Sequence, residues 1–175
     1  MTDLITAPES LDRDSPLWRF ALWFWKQPGV EQQCLTLQAE GWHVSRLLAA
    51  CWLASCGEDY REDPDQQPDH WHARITAQLR SLRKQLDREQ EQLAPVRAAI
   101  ARAELEAEQV ELALFYRSLT RHQTIESAPT GPDQTQVENN LRAVAPDHIT
   151  HEELTELALR FYGWLSSRTT GERTE

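Results

Sequence analysis

The sequence predicts an all-α protein: an N-terminal cluster of three short helices packed on a long antiparallel helical hairpin, with one or two C-terminal helices. Three observations carry this reading. Glycine is sparse, six in 175 residues, while Ala, Leu, Glu, Gln and Arg are abundant, a composition that favours helix over sheet. Apolar residues recur at spacings of three, four and seven through the middle of the chain. Local start and stop signals bracket these runs.

Residues 1–14 read as a loose acidic lead. Ser15-Pro16 then supplies a side-chain cap and a proline at the first helical position. The first helix should run to about Lys26, because Gln27-Pro28-Gly29 cannot continue it. Between Trp18 and Trp25 it holds three Trp and two Phe, so most of its faces must be buried. A second helix over about 29–40 places Val30, Cys34 and Leu37 on one face and stops at Gly41. A third, from Val44 or Ser45 to Cys56, is closely apolar and ends at Gly57. The acidic, proline-bearing segment 57–70 is a linker.

Beyond it, Trp71, Ile75, Leu79, Leu82, Leu86 and Leu93 form one stripe, and Val96, Ile100, Ala103, Ala107, Val110 and Leu114 another. Two amphipathic helices over about 69–93 and 95–121 satisfy this, Pro95 opening the second or kinking one continuous rod. The helical domain thus spans 15–121. A linker at 122–133 precedes C-terminal helices within 134–167. The last of these opens on the capping box Thr150-His151-Glu152-Glu153, and 168–175 reads as a frayed tail. Trp18, Phe20, Trp25, Trp52 and Trp71 are the expected aromatic core.

Several function classes lack their signatures. No H-E-x-x-H, G-x-S-x-G or phosphate-cradling glycine loop occurs, so no catalytic residue and no cofactor is predicted. His148-x-x-His151 is explained by the capping box, and His70 and His72 should point apart on a helix, so no metal site is predicted. Glu104, Glu108 and Glu111 share one helical face that reads as solvated. Three cysteines without a C-x-x-C pair, and an opening segment with no apolar core, suggest free thiols in a cytoplasmic protein. The apolar block at 17–25 is interrupted by Arg19 and far shorter than the roughly 20 residues of a spanning helix.

Trp18, Pro28-Gly29-Val30, Cys34-Leu35, Leu37-Gln38, Leu47-Leu48 and Trp52, followed by WHARITAQLRSLRKQL and ARAELEAEQVEL, resemble the proteobacterial domain-of-unknown-function family 2390 over residues 16–119. Two positions depart from its pattern. His43 and Ser45 stand where an Asp-x-Asn pair usually introduces the third helix, and Trp23 stands where smaller residues are common. The resemblance implies a helical fold and no established activity. Through gene neighbourhood it implies a soluble ABC-type ATPase as a partner.

The function expected from the residues is non-catalytic: a cytoplasmic protein-binding or regulatory module. Arg19, Trp23 and Lys26 lie at i, i+4 and i+7 and form one candidate contact stripe. Arg80, Arg83, Lys84 and Arg88 form a second. Residues 74–102 carry a local excess of four positive charges in a chain whose net charge is −10. The alternative is therefore a nucleic-acid or ribosome-associated factor using that basic helix. An enzyme or ligand-binding protein with a pocket between helices is a further alternative.

Overall fold

Ser15 begins the first helix, its hydroxyl accepting a bond from the Trp18 amide at 3.2 Å, with Pro16 at the first turn. The computed structural model describes residues 4–121, 125 and 131–171, and of 168–171 the backbone alone. The expected linker at 122–133 falls largely outside the described residues, as do 172–175 of the expected tail at 168–175; the backbone of 168–171 is helical and continues the last helix instead of fraying. Helix α1 (Pro16–Trp25) buries Leu17, Phe20, Ala21 and Phe24, a face of period 3.6. Gly29, at φ 87°, makes the turn into α2 (Val30–Ala39), which buries Val30, Cys34 and Leu37.

Helix α3 (Val44–Ser55) is the hub. Leu47 through Ala54 are all buried, so the helix is covered on every side, touching α1, α2, a hairpin helix and both C-terminal helices. Helix α4 (Gln67–Trp71) passes into a π-helical turn (His72–Thr76) and then into α5 (Ala77–Gln85). Helix α6 (Ala94–Thr120) follows, 27 residues long, or roughly 40 Å. Arg80 and Arg83 of α5 reach Glu104 and Glu108 of α6, and Trp71 donates to the Ala107 carbonyl at 2.9 Å. These pairings run antiparallel. The segment is a hairpin, not a kinked rod.

The first arm of the hairpin is shorter than its apolar stripe predicts. It stops at Gln85 rather than near residue 93, because Leu86 turns extended (ψ 125°) and the Asp87 carboxylate accepts from the Glu89 amide at 2.9 Å. Arg97 then donates to the carbonyls of Arg83 and Leu86, both at 2.6 Å, closing the end of α5. A short 3₁₀ turn, Glu91–Leu93, leads into α6.

Helices α7 (Gln134–Val144) and α8 (His151–Gly171) complete the core. Val137, Leu141 and Val144 pack in the same buried cluster as α3, with Leu154, Ala158, Phe161 and Leu165. Asn140, almost fully buried, fastens α7 to the end of α3. Its amide donates to the Ala50 and Glu58 carbonyls at 3.1 and 2.9 Å, and its oxygen accepts from the Tyr60 amide at 3.0 Å. The capping box of α8 forms as expected, Glu153 accepting from the Thr150 amide at 2.9 Å.

The aromatic block divides between core and rim. Phe20 and Phe24 stack at 5.4 Å, and Phe24 meets Phe161 at 5.8 Å. Each fully buried phenylalanine contributes about 2–3 kcal/mol. Trp52 is buried as expected. Trp18 and Trp25 are half-buried against the cluster, and Trp71 lies outside it, between α4 and α6. Trp42, 3 % exposed, takes a core place that its polar surroundings in sequence conceal.

Candidate functional site

A polar cluster and an apolar recess lie on neighbouring stretches of α3 and α6. The cluster is assembled from three separate segments. His43 precedes α3 as its N-cap residue, His72 opens the π-helical turn, and Glu111 lies in the C-terminal half of α6. A π turn admits one extra residue per turn, an irregularity found disproportionately at functional sites.

Glu111 is fully buried and takes both imidazoles. His43 Nε2 donates to its Oε1 at 2.6 Å, and His72 Nδ1 lies 3.1 Å from Oε2 and 3.2 Å from Oε1. The two rings stand 3.9 Å apart between centroids. On its other side, His43 Nδ1 lies 3.4 Å from Asp69 Oδ1, and Arg46 in turn binds Asp69. Burial works to raise the Glu111 pKa, but the His43 and His72 imidazoles outweigh it and hold the carboxyl at about 2. Burial opposes the charge on His43; Asp69 and Glu111 more than compensate and raise its pKa. His43, His72 and Glu111 each present a ligand atom within 4.8 Å of the others, the one such metal-ligand grouping among the described residues.

Further along α6, the face expected to be solvated is instead consumed by the hairpin. Glu104 is 6 % exposed and accepts from Arg80 Nε at 2.8 Å and Arg83 Nε at 2.6 Å. Burial pushes its pKa up, and the two guanidiniums bring it below the usual carboxylate range. Glu108, bound to Arg80 at 2.6 Å, is displaced upward by burial and by its neighbours Glu104 and Glu111. The expectation of a solvated carboxylate face fails here because its partners come from another helix.

The recess lies between α1, α2, α3 and α6, with a volume of about 280 Å³. Trp18, Trp25, Leu48 and Leu112 line it, Leu22 and Leu105 stand half-exposed around it, and Glu108 and Lys26 are its charged residues. The predicted contact residues are scattered. Lys26 lines this recess, whereas Arg19 is exposed and paired with Asp14. Trp23 is half-buried, 5.8 and 5.9 Å from Phe20 and Phe24. Arg80 and Arg83 point to the α6 carboxylates. Lys84 and Arg88 are exposed and line, with Arg83, Arg97 and Leu35, a cleft of about 310 Å³ facing α2.

The residues that reasoning from sequence missed are His43, His72, Asp69 and Glu111. Complementary spacings on two antiparallel arms could have linked Arg80 and Arg83 to the glutamates of α6, but the arginines were expected on a contact surface and the glutamates in water. No comparable signal linked His43 to Glu111, which are 68 residues apart.

The family described as Protein of unknown function (DUF2390) matches residues 16–115. The chain belongs to this family. DUF2390 thus spans α1 to α5 and most of α6, and so includes both the recess and the His43–His72–Glu111 cluster. Helices α7 and α8 lie outside the DUF2390 match, although they supply core side chains. No curated protein and no solved structure matches the chain. Among the described residues, no helix is long and apolar enough to cross a membrane.

Proposed function

We propose that the chain is a non-catalytic protein-binding module of the cytoplasm, and that its contact surface is the recess between α1, α2, α3 and α6. One observation carries the reading: an apolar cavity large enough for one or two side chains, bordered by leucines left in water. Leu22 and Leu105 are 44 % and 54 % exposed beside Trp18 and Trp25. Apolar residues clustered at the mouth of a cavity gain from a partner that covers them, and tryptophans are frequent anchors of such contacts. The occupant is a partner segment presenting one aliphatic or aromatic side chain. None of the three cysteines is in a disulfide, which accords with a reducing compartment.

The nucleic-acid alternative draws less support from the geometry, because Arg80 and Arg83 already neutralise buried carboxylates. The test is capture from a nuclease-treated lysate of the source cells, alongside purified soluble ABC-type ATPases. Wild type is compared with Leu105→Asp and with Leu159→Asp, a substitution of a half-exposed leucine on α8. A protein retained by wild type and Leu159→Asp but lost at least tenfold by Leu105→Asp supports the recess. Retention by both variants, or loss on nuclease treatment alone, refutes it.

A further inference from the structure

We propose that His43, His72 and Glu111 form a binding site for a divalent transition-metal ion of the zinc type. The ligands would be His43 Nε2, His72 Nδ1 and a Glu111 carboxylate oxygen. Two imidazole nitrogens and one carboxylate suit zinc and the later first-row ions, and suit magnesium or calcium poorly, since those require oxygen ligands. The spacing fits. Bonds of about 2.0–2.1 Å in a tetrahedral site place ligand atoms roughly 3.3 Å apart. The imidazole nitrogens here lie 2.6 and 3.1 Å from the carboxylate, so small side-chain movements open the cluster around an ion.

The surroundings match what a ligand histidine needs. Asp69 stands behind His43 Nδ1 at 3.4 Å and is itself held by Arg46. A carboxylate in this position fixes the ring and leaves Nε2 aimed at the ion. Glu111 is fully buried, while the His43 and His72 side chains keep 15 % and 25 % exposure, which provides a route of entry. On binding, the ion replaces the imidazole protons directed at Glu111, and these pass to solvent. Three protein ligands leave a fourth tetrahedral position for water.

The experiment uses the full chain stripped with chelator and titrated with Zn²⁺, with Co²⁺ as a spectroscopic probe. One equivalent should bind, with the visible absorption of tetrahedral Co²⁺ and a Tm that rises with Zn²⁺ concentration. His72→Gln and His43→Gln should each weaken binding at least 100-fold. Asp69→Asn should weaken it about 10- to 100-fold while leaving the ligands in place. Excess Mg²⁺ should not compete. Should a variant fail to fold, the imidazole NMR signals of wild type decide: both rings must shift on Zn²⁺ addition. Absence of saturable binding, binding undiminished in both histidine variants, or unmoved imidazole signals would each reduce the cluster to an internal ion pair.

Discussion

Glu104 shows how strongly one side chain can be conditioned by a helix it does not belong to. Its carboxylate is almost fully buried and held by Arg80 and Arg83, which bring its pKa below the unfolded value near 4.5. A carboxyl depressed in the folded state stabilises the protein above its unfolded pKa. That contribution is lost as pH falls through the folded value. Thermal melting should therefore decline steeply below about pH 4.5, and Glu104→Gln should flatten the decline. The same variant should cost about 1–3 kcal/mol at neutral pH, since Arg80 and Arg83 lose a charged acceptor. At this scale the sequence was legible where partners are neighbours: Ser15 with Trp18, and Thr150 with Glu153. It was opaque for Glu111, whose partners His72 and His43 are 39 and 68 residues away. His70 is exposed whereas His72 reaches Glu111, and only a second helix could reveal what His72 meets.

Helices were legible as elements where propensity, periodicity and start or stop residues agreed. Pro16 and Pro95 open helices, and Gly29 turns one into the next. The end of α5 was not legible: the leucine stripe continues through Leu86 and Leu93, and periodicity alone extends the helix. It ends where Leu86 turns extended, and Arg97, a side chain from the following helix, occupies the carbonyls of Arg83 and Leu86 that are left there. Arg97→Ala should release both acceptors and cost about 1–3 kcal/mol. Amide hydrogen exchange should show faster opening confined to residues 80–86 and the adjoining turn. Uniform acceleration across the whole chain would contradict the capping role. The π turn was equally hidden, since His72–Thr76 carries no residue that breaks an ordinary helix.

Across the whole molecule, the family match ends at Phe115 but the core does not. Val137, Leu141, Phe161 and Leu165 are each 1 % exposed or less, packed in one cluster with Leu47 and Leu53 of α3. A chain cut after Arg121 should consequently lose its cooperative melt and bind hydrophobic dye. A sharp unfolding transition in that fragment would mean that α1 to α6 fold without α7 and α8. The all-helical class was readable from composition. The central place of α3 was readable only as an apolar excess, because the helices that cover it are distributed along the chain.

That placement of α3 sets a schedule for the newborn chain. About 80 residues separate its last turn from the start of α7, an interval of roughly 4–16 s at synthesis rates of about 5–20 residues per second. Throughout it, the face of α3 that α7 will cover has no cover from its own chain. Translation speed and the supply of chaperones should therefore govern the soluble yield more strongly than equilibrium stability does.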